Sequence, residues 1–522
     1  MPENVRPGLG PKRHAHHPAL LAGLLLVARS GSAAAAGSTP DDAGAPNTDA
    51  SAQPAEMGTT SSESEQNGAI TTGTLEPSPT TSEATTTTAT VEPGSESFKL
   101  SGYVRGDVYA GKVTGRSQGD IKAGYGEASL VARTKKERLG DGFAELRLRY
   151  GMQGETQQQA TVDVREAYVN TYMGPLDLRL GKQIVVWGRA DLLNPTNNLT
   201  PSSFRNRSPI EDDRRLGNVG ARAFLRFAPL RLEGVWMPMY VATELPPVDL
   251  PLYVSYGDPT YPKPSLDEGL LAGRVHLELP SVEMSASYLR GYAPMPGLTL
   301  ESLTLKSSTQ DPTTPSILIS RTAYKQQVVG FDFSTAIGDI LAIRGEAAYR
   351  RPYDYQNLEY APKPDLQYAL GVDHTSGSVS VIAQYLGRYA FHWEKKTSTV
   401  ENSATAGLPN LVEDGRDLVT KKIDAQLAKI SQILFSQTER IQHLATVRVE
   451  WLTAHDTLSI SALGMVNFST KEWMAAPKIG YHLSDSLMAY VGAEIITGPK
   501  DTLFGMVDQK MSAGYAELRS TF

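Results

Sequence analysis

The stretch Phe98-Lys-Leu-Ser-Gly-Tyr-Val-Arg-Gly-Asp-Val-Tyr-Ala110 decides how the rest of this chain is interpreted. Apolar or small residues occupy every second position, and polar or aromatic residues fill the positions between them. A period of two indicates a β-strand with one apolar face and one polar face. A single strand of this kind fits a soluble sheet as well as a barrel with lipid outside and water inside.

The same alternation recurs at 142–151, 340–350 and 457–468. Each stretch is about ten residues long, the length that a tilted strand needs to cross the hydrocarbon layer. Charged residues on the second face would be costly in a packed soluble core, but they are normal in a water-filled lumen. The repetition therefore predicts an all-β protein, a transmembrane antiparallel up-and-down β-barrel over residues 98–522.

Short turns alternate with long polar segments between the predicted strands, as in outer-membrane barrels, where the short turns are periplasmic. The strands are predicted at 98–111, 121–134, 142–151, 161–172, 176–188, 219–228, 230–240, 267–279, 281–290, 323–336, 340–350, 366–373, 377–390, 441–453, 457–468, 473–482, 486–497 and 511–522. These are eighteen strands, and sixteen remains open if one strand pair is misassigned. In the last strand, Leu518 and Phe522 share the apolar face and are the expected assembly signal, although Ser520 interrupts that face.

The N-terminal part has a different composition. Arg6, Lys12 and Arg13 precede an apolar run at 18–28 and a small-residue stretch, which predicts a secretory signal peptide over 1–36. The alternative, a membrane anchor, needs a longer apolar run. Residues 37–97 are rich in Ser, Thr and Pro, so a disordered periplasmic segment is expected there. Cysteine is absent, which excludes disulfides, thiolate metal sites and a lipid-anchored cysteine.

Two segments depart from the strand pattern. Apolar residues between 412 and 436 follow a helical spacing, which predicts an amphipathic helix packed across the barrel mouth. Residues 189–218 carry charges of both signs, and such charges set selectivity when they line the narrowest point of a pore. One hypothesis is a constriction loop inside the lumen, and the alternative is a solvated surface loop. The candidate constriction residues are Arg189, Asp191, Arg205, Arg207, Glu211, Asp212, Asp213, Arg214 and Arg215.

A second set of charges is predicted on the inner faces of the strands. Its simpler interpretation is a hydrated wall whose charges pair with one another, and the alternative is a solute-binding role for single residues. The candidate lumen-lining residues are Arg105, Asp107, Glu145, Arg147, Arg149, Arg179, Arg344 and Glu346.

Several motifs resemble those of a largely uncharacterised porin-like family of proteobacteria. The motifs are Val164-Arg-Glu-Ala-Tyr-Val-Asn170, Leu178-Arg-Leu-Gly-Lys-Gln-Ile-Val-Val-Trp-Gly188, Asp191, Asn194-Pro195, Trp236-Met-Pro238 and the hairpins at 473–481 and 487–498. The resemblance covers roughly 160–240 and 445–522 and implies a barrel in the outer membrane of a Gram-negative bacterium. It also implies passive or substrate-preferring transport, without naming a solute.

The sequence has no His-Glu-x-x-His, and residues 174–182 lack the spacing of a phosphate loop. We therefore expect no enzyme, no cofactor and no metal, and the net charge of −7 gives no sign of nucleic-acid binding. The leading hypothesis is a channel for small hydrophilic solutes. The alternative is a plugged structural or interaction barrel. Expected partners are membrane lipid, the barrel assembly machinery and small solutes.

Overall fold

The computed structural model describes residues 97–112, 119–136, 140–153, 158–245, 254–305, 315–338, 340–396 and 416–522. The wall strands are β1 Ser97–Lys112, β2 Gly119–Lys136, β3 Gly140–Gln153, β4 Gln159–Met173, β5 Leu176–Gln183, β6 Asn218–Phe227, β7 Leu230–Met237, β9 Leu270–Glu278, β10 Val282–Tyr292, β13 Lys325–Ile337, β14 Leu341–Pro352, β15 Asp365–Ser376, β16 Val379–Ala390, β17 Ile441–Thr453, β18 Leu458–Asn467, β19 Glu472–Ser484, β20 Leu487–Thr497 and β21 Ala513–Thr521. The remaining elements are β8 Val254–Tyr256, β11 Gly297–Leu305, β12 Pro315–Thr322, the helices α1 Arg416–Leu434 and α2 Leu503–Met511, and a 3₁₀ helix at Glu211–Arg214.

The eighteen wall strands form one closed antiparallel ring. Each wall strand pairs with the next one along the chain, and β21 closes the ring on β1. Closure matters because every backbone N–H and C=O in the hydrocarbon layer must find a partner within the protein. The predicted barrel of eighteen strands is confirmed, and sixteen is excluded. The predicted signal peptide and disordered segment fall on residues 1–96, outside the described residues, and β1 begins at Ser97.

The two faces of the wall differ as the period of two predicts. On β1, Val104 and Val108 are exposed on the outside, whereas Arg105 and Asp107 are buried on the inside. Exposed aromatic side chains form two outer bands. One band, at the end with the short turns, holds Phe98, Phe227, Trp451, Tyr481 and Phe522, and the other holds Tyr150, Tyr288, Tyr349, Tyr385 and Trp473. An apolar wall between two aromatic girdles is the exterior of an outer-membrane barrel, and this confirms the predicted location.

The short turns lie at one end of the barrel, where β1 begins and β21 ends. Thr521 donates its N–H to Ser486 in the turn between β19 and β20, and Phe522 exchanges two backbone hydrogen bonds with Gly102. Gly174 and Gly377 adopt φ angles of 62° and 57° in two of these turns, a conformation that costs glycine least. This arrangement agrees with the predicted alternation of short and long connections.

Two predicted strands extend beyond the strands of the structure, those at 176–188 and 230–240. The alternation predicts a strand over 176–188, but β5 ends at Gln183 and the chain then turns into the barrel. Val185 and Trp187 are buried there against Leu199 and Leu289. An apolar residue at every second position can therefore face a packed interior instead of lipid, and the pattern alone does not separate the two cases. In the same way β7 ends at Met237, three residues before the predicted end at 240.

A small cap covers the end with the long loops. Strands β8, β11 and β12 form a three-stranded sheet, and α1 packs on it through Ile423 and Leu427. The predicted helix within 412–436 is confirmed over Arg416–Leu434, and residues 412–415 lie outside the described residues. No helix among the described residues combines the length and the hydrophobicity that a membrane span requires.

Substitutions on the lipid-facing side of β17 test which face of the wall contacts lipid. We expect Val447→Arg, near mid-membrane, to lower the free energy of unfolding by about 2–4 kcal/mol because it places a charge in hydrocarbon. Thr453→Arg, on the same face but at the end of the strand, is the matched control and should cost at most about 1 kcal/mol. Denaturant unfolding in lipid vesicles measures both values, and equal costs would contradict the assigned outer face.

Candidate functional site

Residues 189–218, called the inner loop below, lie inside the barrel and reach strands all around the ring. The Arg189 side chain donates to Asp332 of β13 at 2.7 Å, and Asp191 accepts from Arg448 of β17 at 2.7 Å. Further along, Arg207 lies 3.3 Å from Glu494 of β20, and Asp213 accepts from Arg105 of β1 at 2.7 Å. The loop therefore crosses the lumen, as the constriction hypothesis requires of its position.

The loop enters the lumen at an anchored tryptophan. Trp187 donates its indole N–H to Glu233 at 2.9 Å, and Glu233 also accepts from Arg222 at 2.8 Å. His276 lies 3.1 Å from the same carboxylate. The buried carboxylate of Glu233 therefore fixes the Trp187 side chain in one position, because losing any of its partners would leave a buried polar group unpaired.

Asp213, in the 3₁₀ helix, anchors the loop through three hydrogen bonds. Its carboxylate accepts from Arg105 at 2.7 Å, from Arg147 at 2.8 Å and from Ser208 at 2.5 Å. The side chains of Arg105 and Asp213 are 0% and 6% exposed, so the pair is almost free of water. Next to it, Asp212 accepts from Arg165 of β4 and pairs with Arg215 at 2.7 Å.

A second buried contact couples the loop to α2. Arg207 donates to the carbonyl of Met511 at 3.1 Å and also to that of Lys510, in the last turn of α2. Arg214 lies 3.6 Å from Glu494, which also faces Arg207. A cation at the C-terminus of a helix satisfies carbonyls that have no partner within the helix. The position of α2 therefore depends on the inner loop.

The loop contact with β14 is buried, whereas the contacts near β17 are more open to water. Glu346 accepts from Thr196 at 2.8 Å and from the backbone N–H of Arg189 at 3.2 Å. Arg448 also lies 3.5 Å from Glu211, and these two side chains are 32% and 46% exposed. Toward β17 the loop therefore meets the wall through charges that water still reaches.

The structure brings together most of the predicted constriction residues. Arg189, Asp191, Arg207, Glu211, Asp212, Asp213, Arg214 and Arg215 each take part in an ion pair inside the barrel. Arg205 differs, since it is exposed and has no ion pair among the described residues. Substitution of Arg207 would therefore remove two contacts with carbonyls of α2, whereas substitution of Arg205 would change charge alone.

The predicted lumen-lining residues all face inwards, and most of them are buried. Arg105, Asp107, Glu145, Arg147, Arg149 and Glu346 are buried. Neighbouring wall side chains and the inner loop enclose them, and their role in lining a pore stays a prediction. Arg149 pairs with Glu127 at 2.6 Å, and Arg179 donates to Asn170 at 2.8 Å. Arg344 pairs with Asp373 and donates to the carbonyl of Arg189 at 2.8 Å.

Sequence reasoning missed the partners of these residues. They include Arg165, Asp332, Arg448 and Glu494, which lie on inner faces of strands that were correctly predicted. The alternation could have placed each of them in the lumen. Leu518 and Phe522 are exposed on the outer wall, and their role as an assembly signal stays a prediction.

A cavity of about 330 Å³ lies between the inner loop and the cap. Leu193 and Phe204 of the loop, Tyr368 of β15 and Leu434 of α1 are among its apolar lining residues. Its charged lining consists of Arg350, Lys363, Asp365, Arg388 and Glu472. The Arg350 guanidinium binds Asp365 through two hydrogen bonds of 2.9 and 2.6 Å. Among the described residues, no group of three or more His, Cys, Asp or Glu side chains is placed to hold a metal ion.

Asp213 gives a direct test of the loop anchor. We expect Asp213→Asn to lower the free energy of unfolding by about 3–5 kcal/mol, because two buried arginines lose their shared carboxylate. Denaturant unfolding of the purified barrel measures the change.

The matched control is Asp177→Asn, which removes a carboxylate paired with the exposed Arg226 at 2.5 Å. An exposed pair contributes at most about 1 kcal/mol, so this variant should unfold almost like the wild type. If Asp213→Asn behaved like the control, the loop would not depend on this anchor.

The comparisons with known proteins concern both sequence and fold. Solved structures similar to the chain include OccK11 (OpdR) of Pseudomonas aeruginosa, with 10% identity, 81% of this chain and 94% of that chain covered, and a TM-score of 0.42. The outer membrane protein opdK of Pseudomonas aeruginosa has 9% identity, coverages of 81% and 97%, and a TM-score of 0.46. A BenF-like porin of Pseudomonas fluorescens Pf-5 has 10% identity, coverages of 81% and 98%, and a TM-score of 0.45. No curated protein sequence matches the chain significantly. A family model described as "Protein of unknown function (DUF1302)" matches residues 18–400, most of the chain, and the protein belongs to this family.

Proposed function

We propose that this protein is an outer-membrane channel for small hydrophilic solutes, with its narrowest point between the inner loop and strands β16–β19. The observation that carries the proposal is the difference between the two sides of the loop. Toward β1 the contacting charges are fully buried, as at Arg105 and Asp213. Toward β17 the contacting side chains of Arg448 and Glu211 stay partly exposed.

The wall on the open side carries charges of both signs that form no direct ion pair among the described residues. Glu450 of β17 faces inwards and is exposed, and it has no ion pair among the described residues. Lys478 of β19 also faces inwards, and its ammonium group lies 5.7 Å from the Tyr490 ring. Charges at the narrowest point of a pore select among ions by their sign. The mixture predicts weak selectivity that single substitutions shift in either direction.

The cavity under the cap is the proposed binding site of a solute before it passes the narrowest point. Its volume lies at the lower end of the range of roughly 300–1,000 Å³ found for small-molecule pockets. Leu193 lines its floor and packs near Leu386 and Leu444 of the wall. A solute on its way to the periplasmic half would pass Leu193 and then the Asp191–Arg448 pair.

A plugged barrel without conductance is the second candidate. Its support is the number of buried ion pairs that hold the inner loop, together with the cap above the cavity. Such a protein would serve as a structural or interaction partner in the membrane. The absence of enzymatic activity stays a prediction under both candidates.

Permeation measurements distinguish the channel from the plugged barrel. Purified protein in liposomes should admit a small sugar such as glucose and thereby cause swelling, and planar bilayers should show discrete conductance steps. Vesicles that stay as tight as protein-free vesicles would rule out the channel and favour the plugged barrel.

Ion selectivity tests which part of the lumen ions pass through. We expect Glu450→Gln to shift the cation-to-anion permeability ratio toward anions and Lys478→Gln to shift it toward cations, each by roughly twofold, because each removes one charge that faces the lumen. Reversal potentials under a salt gradient measure both shifts.

Lys500→Gln, in an exposed stretch between β20 and α2, is the control and should leave the ratio unchanged. Equal ratios in all three variants would mean that ions do not pass along β17 and β19, even if the barrel conducts.

A further inference from the structure

A row of long polar side chains stands on the outside of three neighbouring wall strands. Arg290 of β10 is level with Gln327 of β13, and Gln327 is level with Arg351 of β14. Both arginines are exposed. The neighbours Leu289 and Val328 are buried on the inside, so the row faces away from the lumen.

The row lies directly above one of the aromatic bands. The next level toward the membrane holds Tyr288, Val329 and Tyr349 on the same outer face. One level further in are Ala286, Phe331 and Ala347. Aromatic girdles mark the depth of the membrane–water interface. The row is therefore at the depth of lipid headgroups, on the side with the long loops.

The positive charges of this row are not neutralised by the protein. Neither Arg290 nor Arg351 has an ion-pair or hydrogen-bond partner among the described residues. Lys325, one level further out, differs because Glu268 accepts from it at 3.0 Å. The two like charges are separated by one strand, and an anion bound between them would be attracted by both.

We propose that Arg290, Gln327 and Arg351 bind the phosphate group of an anionic lipid in the outer leaflet. Strands are spaced by about 4.8 Å, so the two arginines are roughly 10 Å apart at the backbone and their side chains can converge over Gln327. The planar guanidinium group binds phosphate oxygens through paired hydrogen bonds.

Gln327 adds a neutral donor. Its side-chain oxygen accepts from the Tyr288 hydroxyl at 3.4 Å, which leaves the amide N–H groups free for a ligand. The aromatic rings below then contact the apolar part of the same lipid. A membrane lipid fits this place better than a dissolved phosphate, because the row stands on the lipid-facing wall and not in the lumen.

Native mass spectrometry of the full-length protein in detergent tests the proposal. The probes are bisphosphorylated lipid A, phosphatidylethanolamine as a lipid without net charge, and inorganic phosphate alone. We expect the wild type to retain lipid A about tenfold more strongly than the double variant Arg290→Gln/Arg351→Gln, because two charge-assisted contacts are lost.

The control is Lys471→Gln/Lys500→Gln, which removes the same charge from extracellular loops away from the row and should retain lipid A like the wild type. Arg290→Lys/Arg351→Lys should bind with intermediate strength, since it keeps charge without the paired donors. Heat-dependent gel mobility reports whether each variant is folded.

Three results would overturn the proposal. They are equal retention of lipid A by the wild type and Arg290→Gln/Arg351→Gln, an equal loss in the loop control, and retention of phosphatidylethanolamine as strong as that of lipid A. Displacement of lipid A by inorganic phosphate at similar concentration would also reject a lipid ligand in favour of a soluble one.

Discussion

The interior of this barrel depends on the pairing of buried charges between its wall and its inner loop. Arg105 is fully buried and faces Asp213 of the loop as well as Glu127 and Glu517 of the wall, at 2.7, 2.7 and 3.7 Å. Removing a charge from water costs several kcal/mol, and a nearby opposite charge offsets this cost only when the geometry is good. Without the loop, Arg105 and Arg147 would lose their shared carboxylate. Without the wall, Asp213 could not be buried. Each part is therefore stable in its position only in the presence of the other.

The wall obeys a different constraint, and that constraint made it predictable. A strand exposed to lipid must turn an apolar residue outwards at every second position, and its backbone must pair on both edges. Both demands act within about ten residues and recur on every strand. The period of two therefore located all eighteen strands, with errors at their ends. The same rule failed after Gln183, because the side chains of Val185 and Trp187 pack inside the barrel and a buried interior is as apolar as lipid.

The position of the inner loop could not be derived in the same way. Its composition suggested a constriction, but a surface loop with local ion pairs would have the same composition. The partners that decide between them are remote in sequence: Arg207 and Glu494 are 287 positions apart, and Asp191 and Arg448 are 257 apart. The helix α2 has only nine residues and is held by apolar contacts with wall strands and by the carbonyl contacts of Arg207. Short elements of this kind have little stability of their own, so their sequence gives a weak signal.

The two sides of the inner loop differ in a way that bears on how a channel could be tuned. Toward β1–β4 the loop is held by charged side chains that are buried away from water. A substitution there affects the stability of the whole barrel. Toward β17 it touches the wall through Arg448, which is 32% exposed, and Glu450, which forms no direct ion pair among the described residues, lies nearby. Exposed pairs contribute little to stability because water screens them. Residues on this side can therefore vary in charge and size without unfolding the barrel. A loop that is fixed along one side and loosely held along the other separates the stability of the fold from the properties of the passage.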